Sequence, residues 1–211
     1  LGSEKRELVT YDELPEVLID AIVATEDSRF YQHNGFDIAR FTKASFGQLL
    51  GNSNAGGAST LTMQVVKNNF TSTTSSGFAG ITRKFTDIYM SVFKVEKNYT
   101  KQEIIEFYVN APYLGSGSYG VEQASKTYFG KDVKDLSLAE ASIIAGLFQA
   151  PEAYNPYDYP EKTTARRNQV LNLMVKHGYI TESEANAAKA ISVTSLLKKQ
   201  TKKTSSISEY Q

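Results

Sequence analysis

Hydrophobic residues recur along this chain at helical intervals. Leu14, Val17, Leu18, Ala21 and Ile22 share one face of a helix over 14–25, with Pro15 in the first turn, where its missing N–H costs little. Residues 36–50 carry Phe36, Ile38, Phe41, Phe46, Leu49 and Leu50 with few charges. Ile81, Phe85, Ile88, Tyr89, Val92 and Phe93 repeat with a period near 3.6 over 81–95, and a shorter helical piece spans 58–70. Capping boxes open three later helices at Thr100–Glu103, Ser137–Glu140 and Thr181–Glu184. A helix from about Pro160 to His177 stops at Gly178, a good residue for a C-terminal cap. No run alternates for long between turn residues, so the pattern predicts a mainly α protein.

Polar stretches divide these elements. Residues 51–57 and 71–77, rich in Gly, Ser, Thr and Asn, read as mobile loops on either side of 58–70, the placement of a flap beside a cleft. From about Ser195 the chain is rich in Lys, Ser and Thr and reads as a polar linker or tail over 195–211. Residues 1–9 read as a lead-in whose Leu1-Gly2-Ser3 start resembles a cloning remnant, with a targeting or anchoring segment cut away before it. A length of 211 residues allows one domain with a real core, or a domain plus a lobe. No run of about 18 apolar residues is present, so nothing in the sequence reads as a bilayer span.

Composition narrows the chemistry. The absence of cysteine excludes disulfides, thiolate metal sites and a cysteine nucleophile. The 23 basic residues are balanced by 23 acidic ones, which argues against a nucleic-acid partner. Two histidines argue against a histidine-based metal site.

Five segments carry candidate chemistry. In Glu26-Asp27-Ser28-Arg29-Phe30-Tyr31-Gln32-His33-Asn34-Gly35, adjacent carboxylates end an apolar helix and run into a polar, aromatic turn. A carboxylate at the rim of a core is where desolvation makes a working base; a pair of solvated acids at a helix end is the plainer reading. Gly57-Ala58-Ser59-Thr60, before Gln64, Lys67 and Asn68, is either an anion-binding helix start or a simple N-cap. Arg83, Lys84 and Asp87 share a helix face, as a surface ion pair also would. Lys101 to Asn110, including Glu103, Ile104 and Tyr108, is a capped amphipathic helix, and Arg166-Arg167 is a cationic or solvated face. Ser91-Val92-Phe93-Lys94 matches the S-x-x-K of penicillin-binding transpeptidases, but Val92 and Phe93 fall at packing positions and no K-T-G partner follows.

In order and spacing the five segments resemble the motifs of the peptidoglycan glycosyltransferases, glycosyltransferase family 51, over about residues 10–190. The first motif, E-D-x-x-F-x-x-H-x-G, is matched by Glu26, Asp27, Phe30, His33 and Gly35. The second, G-x-S-T-x-x-Q-Q with K-N following, maps onto Gly57, Ser59, Thr60, Gln64, Lys67 and Asn68, with Met63 in place of the first glutamine. The third, R-K-x-x-E, maps onto Arg83 and Lys84, with Asp87 in place of glutamate. The fourth and fifth take in Lys101, Glu103, Ile104, Tyr108 and Asn110, then Arg166, Val170 and Leu171.

The resemblance implies a lysozyme-like helical domain over 10–194, with a larger globular lobe and a smaller membrane-proximal lobe and flap over 36–80. It implies a polymerase of lipid II that releases undecaprenyl pyrophosphate. Glu26 is then the catalytic base, with Asp87 as the second catalytic carboxylate. Asp27, Phe30, His33, Ser59, Thr60, Gln64, Lys67, Asn68, Arg83, Lys84, Tyr108, Asn110 and Arg166 are the implied substrate contacts, with His33 read as a brace of its turn rather than an acid. No cofactor is required, although a magnesium or manganese ion near Asp87 could assist the pyrophosphate. The implied partners are lipid II, the growing glycan and the membrane surface through 36–50, for which burial in the core is the competing reading. The implied location is the extracytoplasmic face of the bacterial membrane, behind an N-terminal anchor and before a possible transpeptidase domain. A lysozyme-like hydrolase or lytic transglycosylase, and a non-catalytic binder of lipid pyrophosphate, are the alternative functions.

Overall fold

A computed structural model describes residues 6–51, 57–70 and 78–200, including all side chains there except those of Phe70, Phe78, Ala79 and Ile81. The expected loops therefore lie mostly outside the described residues, at 52–56 and 71–77, as does the tail from 201. The helices are α1 (Glu16–Glu26), α2 (Ile38–Leu49), α3 (Leu61–Phe70), α4 (Phe78–Met90), the single turn α5 (Glu96–Asn98), α6 (Lys101–Asn110), α7 (Gly120–Phe129), α8 (Leu138–Leu147), α9 (Pro160–Lys176), α10 (Glu182–Lys189) and α11 (Val193–Leu196). Among the described residues the one β-type pairing is an isolated bridge between Tyr113 and Tyr119.

The larger lobe is built around α8. Every residue from Ala139 to Leu147 is buried, so this helix is sheathed on all sides, chiefly by α1 and α9. Helix α1 buries Leu18, Ile19, Ala21, Ile22, Val23 and Ala24, more than the single face its spacing predicts. That burial continues to its last turn and carries Glu26 to the edge of the core. All three capping boxes are present, at Thr100, Ser137 and Thr181. Helix α9 ends one residue before the expected point, and Gly178 follows with φ 79°.

Arg167 contradicts its reading as part of an exposed cationic face. It is fully buried on α9, and its guanidinium donates to the Ile191 and Lys189 carbonyls at 2.5 and 3.0 Å. The tail also begins later than expected. Leu196 and Leu197 pack on the core, and Lys198 N donates to the Tyr128 carbonyl at 2.7 Å.

The smaller lobe, α2 to α4, departs most from the pattern. The helix expected over 81–95 stays regular only to Met90, and Ser91–Val95 form a π-helical turn. Ser91 Oγ donates to the Asp87 carbonyl at 2.6 Å, a side-chain bond onto the backbone ladder of the kind that loosens a helix. Asp87, Ser91 and Val95 are buried, while Phe85, Tyr89 and Phe93 stand more than half exposed. Phe93 is thus not the packing residue its spacing implied. In α2 and at its C-terminal cap the situation is similar: Ala44 is buried, but Ile38, Phe46, Leu49 and the cap residue Leu50 are exposed by 62–81%. The core reading of 36–50 fails for these side chains.

Candidate active site

The turn after α1 is braced from within. Asp27 is fully buried, and its Oδ2 lies 2.7 Å from His33 Nε2 and accepts the Leu61 N–H at 3.0 Å. His33 Nδ1 accepts the Gly35 N–H at 3.0 Å, so the neutral ring carries its proton on Nε2 and donates it to Asp27. The His33 carbonyl accepts from Lys101 Nζ at 2.7 Å, and that ammonium also sits 4.3 Å from the centroid of the buried Phe30 ring. Lys101 and Thr62 both bond Glu96 Oε1 at 2.7 Å. The first motif is therefore tied to α3, α5 and α6. Asp27, Phe30 and His33, expected at the substrate, are occupied in this frame.

The start of α3 corrects a second expectation. It does hold an anion, but the anion is the protein's own Asp27. Thr60 is fully buried; its Oγ1 donates to the Gly35 carbonyl at 2.7 Å and accepts the Met63 N–H at 3.1 Å. The Leu61 and Met63 amides and the Thr60 hydroxyl are consumed locally and are not offered to a ligand. Ser59 stays half-buried at the cleft edge and accepts from Lys84 Nζ at 2.7 Å.

Glu26 is the desolvated acid. Its side chain is 15% exposed, and its Oε1 is buried without a hydrogen-bond partner. Burial raises its pKa above the ordinary 4.5, and Asp27 pushes the same way. Arg166, 3.8 Å away, opposes that shift, as do a hydrogen bond from Gln64 and the charge of Arg40. Tyr108, stacked on Phe148 and fully buried, donates to Gln64 Oε1 at 3.3 Å and so orients that amide. Burial raises the Tyr108 pKa well above 10, which keeps it a donor.

Gln64 leads from Glu26 into a cleft of about 390 Å³ lined by Ser59, Met63, Gln64, Lys67, Arg83, Lys84 and Asp87. Lys67, Arg83 and Lys84 make it cationic. Desolvation lowers the Lys84 pKa against the pull of Asp87, with Lys67 adding to the lowering. Asp87 is 8% exposed, and its Oδ1 is buried without a hydrogen-bond partner. Among the described residues no three His, Asp or Glu side chains converge on a metal position. Asp87 is one carboxylate among cations, so these residues do not fit a divalent ion held by the protein alone.

Two expected contacts lie elsewhere. Asn110 clasps the lead-in: its Oδ1 accepts the Val9 N–H at 3.0 Å and its Nδ2 donates to the Val9 carbonyl at 2.8 Å. Asn68 is exposed on α3 and is not among the cleft-lining residues. Sequence reasoning missed Arg40, whose NH1 donates to the Glu26 carbonyl at 2.7 Å and lies 3.7 Å from Asp27 Oδ1. Its signal was a cation near the start of an apolar segment, three residues before Lys43.

Fold and cleft together define a lysozyme-like helical domain with a desolvated glutamate next to a cationic groove. The chain belongs to the transglycosylase family, whose model, described as "Transglycosylase", matches residues 1–175. It is 44% identical over 189 residues to penicillin-binding protein 1A of Vibrio cholerae, covering 90% of this chain and 22% of the relative. It is 41% identical over 194 residues to penicillin-binding protein 1A/1B of Bacillus subtilis strain 168, covering 92% and 21%. The crystal structure of penicillin-binding protein 1A from Haemophilus influenzae superposes with a TM-score of 0.53 at 28% identity, over 90% of this chain and 18% of that one. The chain thus spans about a fifth of the length of these relatives.

Proposed function

We propose that this domain is a peptidoglycan glycosyltransferase that polymerises lipid II into β-1,4-linked glycan, with inversion and release of undecaprenyl pyrophosphate. The observation that carries the reading is the desolvated carboxylate of Glu26, joined through Gln64 to a groove lined by three cations. A sugar hydroxyl is a poor nucleophile and needs a base whose pKa is raised towards neutrality. Glu26 takes the proton of the acceptor 4-hydroxyl as its oxygen attacks the donor's anomeric carbon. The bond to the pyrophosphate breaks on the opposite face, and the electron pair leaves with it. Lys67, Arg83 and Lys84 stabilise that leaving anion, so no protonated acid is required. A hydrolase would need a proton donor where these cations stand. Asp87, at the inner wall, orients the cations.

The exposed apolar residues of α2 and α4 support docking on the membrane surface, where a lipid-linked substrate resides. Among the described residues no helix is long and apolar enough to cross a membrane. The greater length of the relatives supports a parent protein with further domains; their being penicillin-binding proteins favours a transpeptidase domain among them, at the extracytoplasmic face of the bacterial membrane. Lipid II polymerisation by Glu26→Gln tests the assignment. The expected loss is about 10²–10⁴-fold, and near-wild-type polymer would refute it. Shortened glycans from finished peptidoglycan would show a hydrolase instead, and binding of lipid II without polymer a non-catalytic module.

A further inference from the structure

The first turn of α2 is stitched to the turn that follows Glu26. Asp37 caps α2 by accepting the Arg40 N–H through Oδ1 at 3.1 Å, and its Oδ2 pairs with Arg29 Nε at 3.0 Å. From that fixed start the Arg40 side chain reaches back. Its NH1 donates to the Glu26 carbonyl at 2.7 Å and stands 3.7 Å from Asp27 Oδ1, an atom with no other partner. Arg40 is 28% exposed, whereas its neighbours Ile38 and Phe41 on the same helix are 71% and 39% exposed. One helix turn thus carries an inward cation and outward apolar groups.

We propose that Arg40 is a positioning residue for glycosyl transfer, holding the Glu26 backbone and the Asp27 carboxylate from α2 and so coupling the base to the exposed apolar face of that helix. The inference rests on Glu26 being the base. The carbonyl Arg40 grips belongs to the last residue of α1, where no further helical turn restrains it. A guanidinium spanning a carbonyl and a carboxylate fixes that end in both direction and charge. Its charge also acts on the Glu26 carboxylate, which faces Arg166 from α9, Tyr108 from α6, Gln64 from α3 and Asp27 beside it. Removing one of two opposing cations leaves desolvation less opposed, so Glu26 would hold its proton to higher pH.

The test compares wild type, Arg40→Met, Arg40→Lys and Glu26→Gln in lipid II polymerisation, with kcat, KM and the pH profile measured for each. Arg40→Met is expected to lower kcat about tenfold or more at little change in KM, as misplacement of a reacting group does. The acid limb of its kcat/KM profile should move to higher pH, and Arg40→Lys should restore the limb and part of kcat. A wild-type kcat and acid limb in Arg40→Met would overturn the inference. So would a kcat loss with the limb unmoved in both variants, which is the mark of a merely structural residue. A wild type that makes no polymer, or a fully active Glu26→Gln, would instead overturn the proposed function.

Discussion

Gly35→Ala isolates the link between the first motif and the wall that carries Asp87. Gly35 has φ +96°, a conformation that costs an alanine about 1–2 kcal/mol. A Cβ built there lies 2.8 Å from both the carbonyl carbon and oxygen of Ser91 and 3.0 Å from Glu96 Cγ, where ordinary contact begins near 3.4 Å. The obstacle is backbone of the π-helical turn, so the turn itself has to move. Forced overpacking of this kind costs about 1–3 kcal/mol, for a total of about 2–5 kcal/mol against the 5–15 of a typical domain. Because Ser91 Oγ is bonded to the Asp87 carbonyl, the displacement is passed to the cleft. Gly178→Ala is the control: φ is +79° and nothing lies within 4 Å of the added Cβ, so only the backbone cost applies. Urea unfolding should place Gly35→Ala at least about 1 kcal/mol below Gly178→Ala, the least that overpacking adds. Polymerisation per folded molecule should drop in Gly35→Ala alone. Equal losses in the two variants would refute the coupling through Ser91.

Three further outcomes follow from the same structure. Because burial raises the Glu26 pKa above 4.5, the ionised folded form is disfavoured, and the lost stability returns as pH falls through the raised value towards 4.5. Glu26→Gln should therefore melt higher than wild type at neutral pH, with the gain gone near pH 4.5; a gain that persists in acid contradicts the desolvation argument. Asn110→Ala should cost roughly 1–3 kcal/mol through the lost Val9 clasp, while KM for lipid II stays unchanged; a large rise in KM would return Asn110 to the substrate. Phe41→Ser/Phe46→Ser should float less with liposomes at unchanged melting temperature, whereas equal flotation would remove α2 from the membrane contact.

Helix ends were legible because their signals are local. Thr100 and Glu103, or Thr181 and Glu184, satisfy each other across three residues, and the sequence displays both partners. Glu26 and the cations of the cleft were legible from spacing together with the family resemblance. The supporting contacts were not, since each joins distant residues. Asp27 meets Leu61, Thr60 meets Gly35, and Asn110 meets Val9 across 101 positions. A motif shows that a residue type is required without showing whether it faces the substrate or a neighbour. The inverted faces of α2 and α4 were hidden for another reason. Hydrophobic periodicity finds an amphipathic helix, but which face is inward follows only if water surrounds the protein.

That inversion bears on how the reaction is arranged. In α4 and the π-helical turn after it the outward residues are Phe85, Tyr89 and Phe93, while Lys84 and Asp87 line the cleft and Ser91 is buried. In α2 Ile38 and Phe46 point outward while Arg40 reaches Glu26. The apolar groups and the cleft-facing groups thus stand on different sides of helices whose width is on the order of 10 Å. A lipid-linked pyrophosphate presents the same sequence of environments, with acyl chain, then charge, then sugar. Docked on the membrane as proposed, the lobe would bring its cations to the depth of the pyrophosphate, with Glu26 on the sugar side. On the proposed function the substrate need not be drawn out of the membrane, because the apolar faces proposed to meet the lipid lie on the same helices as the cations proposed to meet the anion.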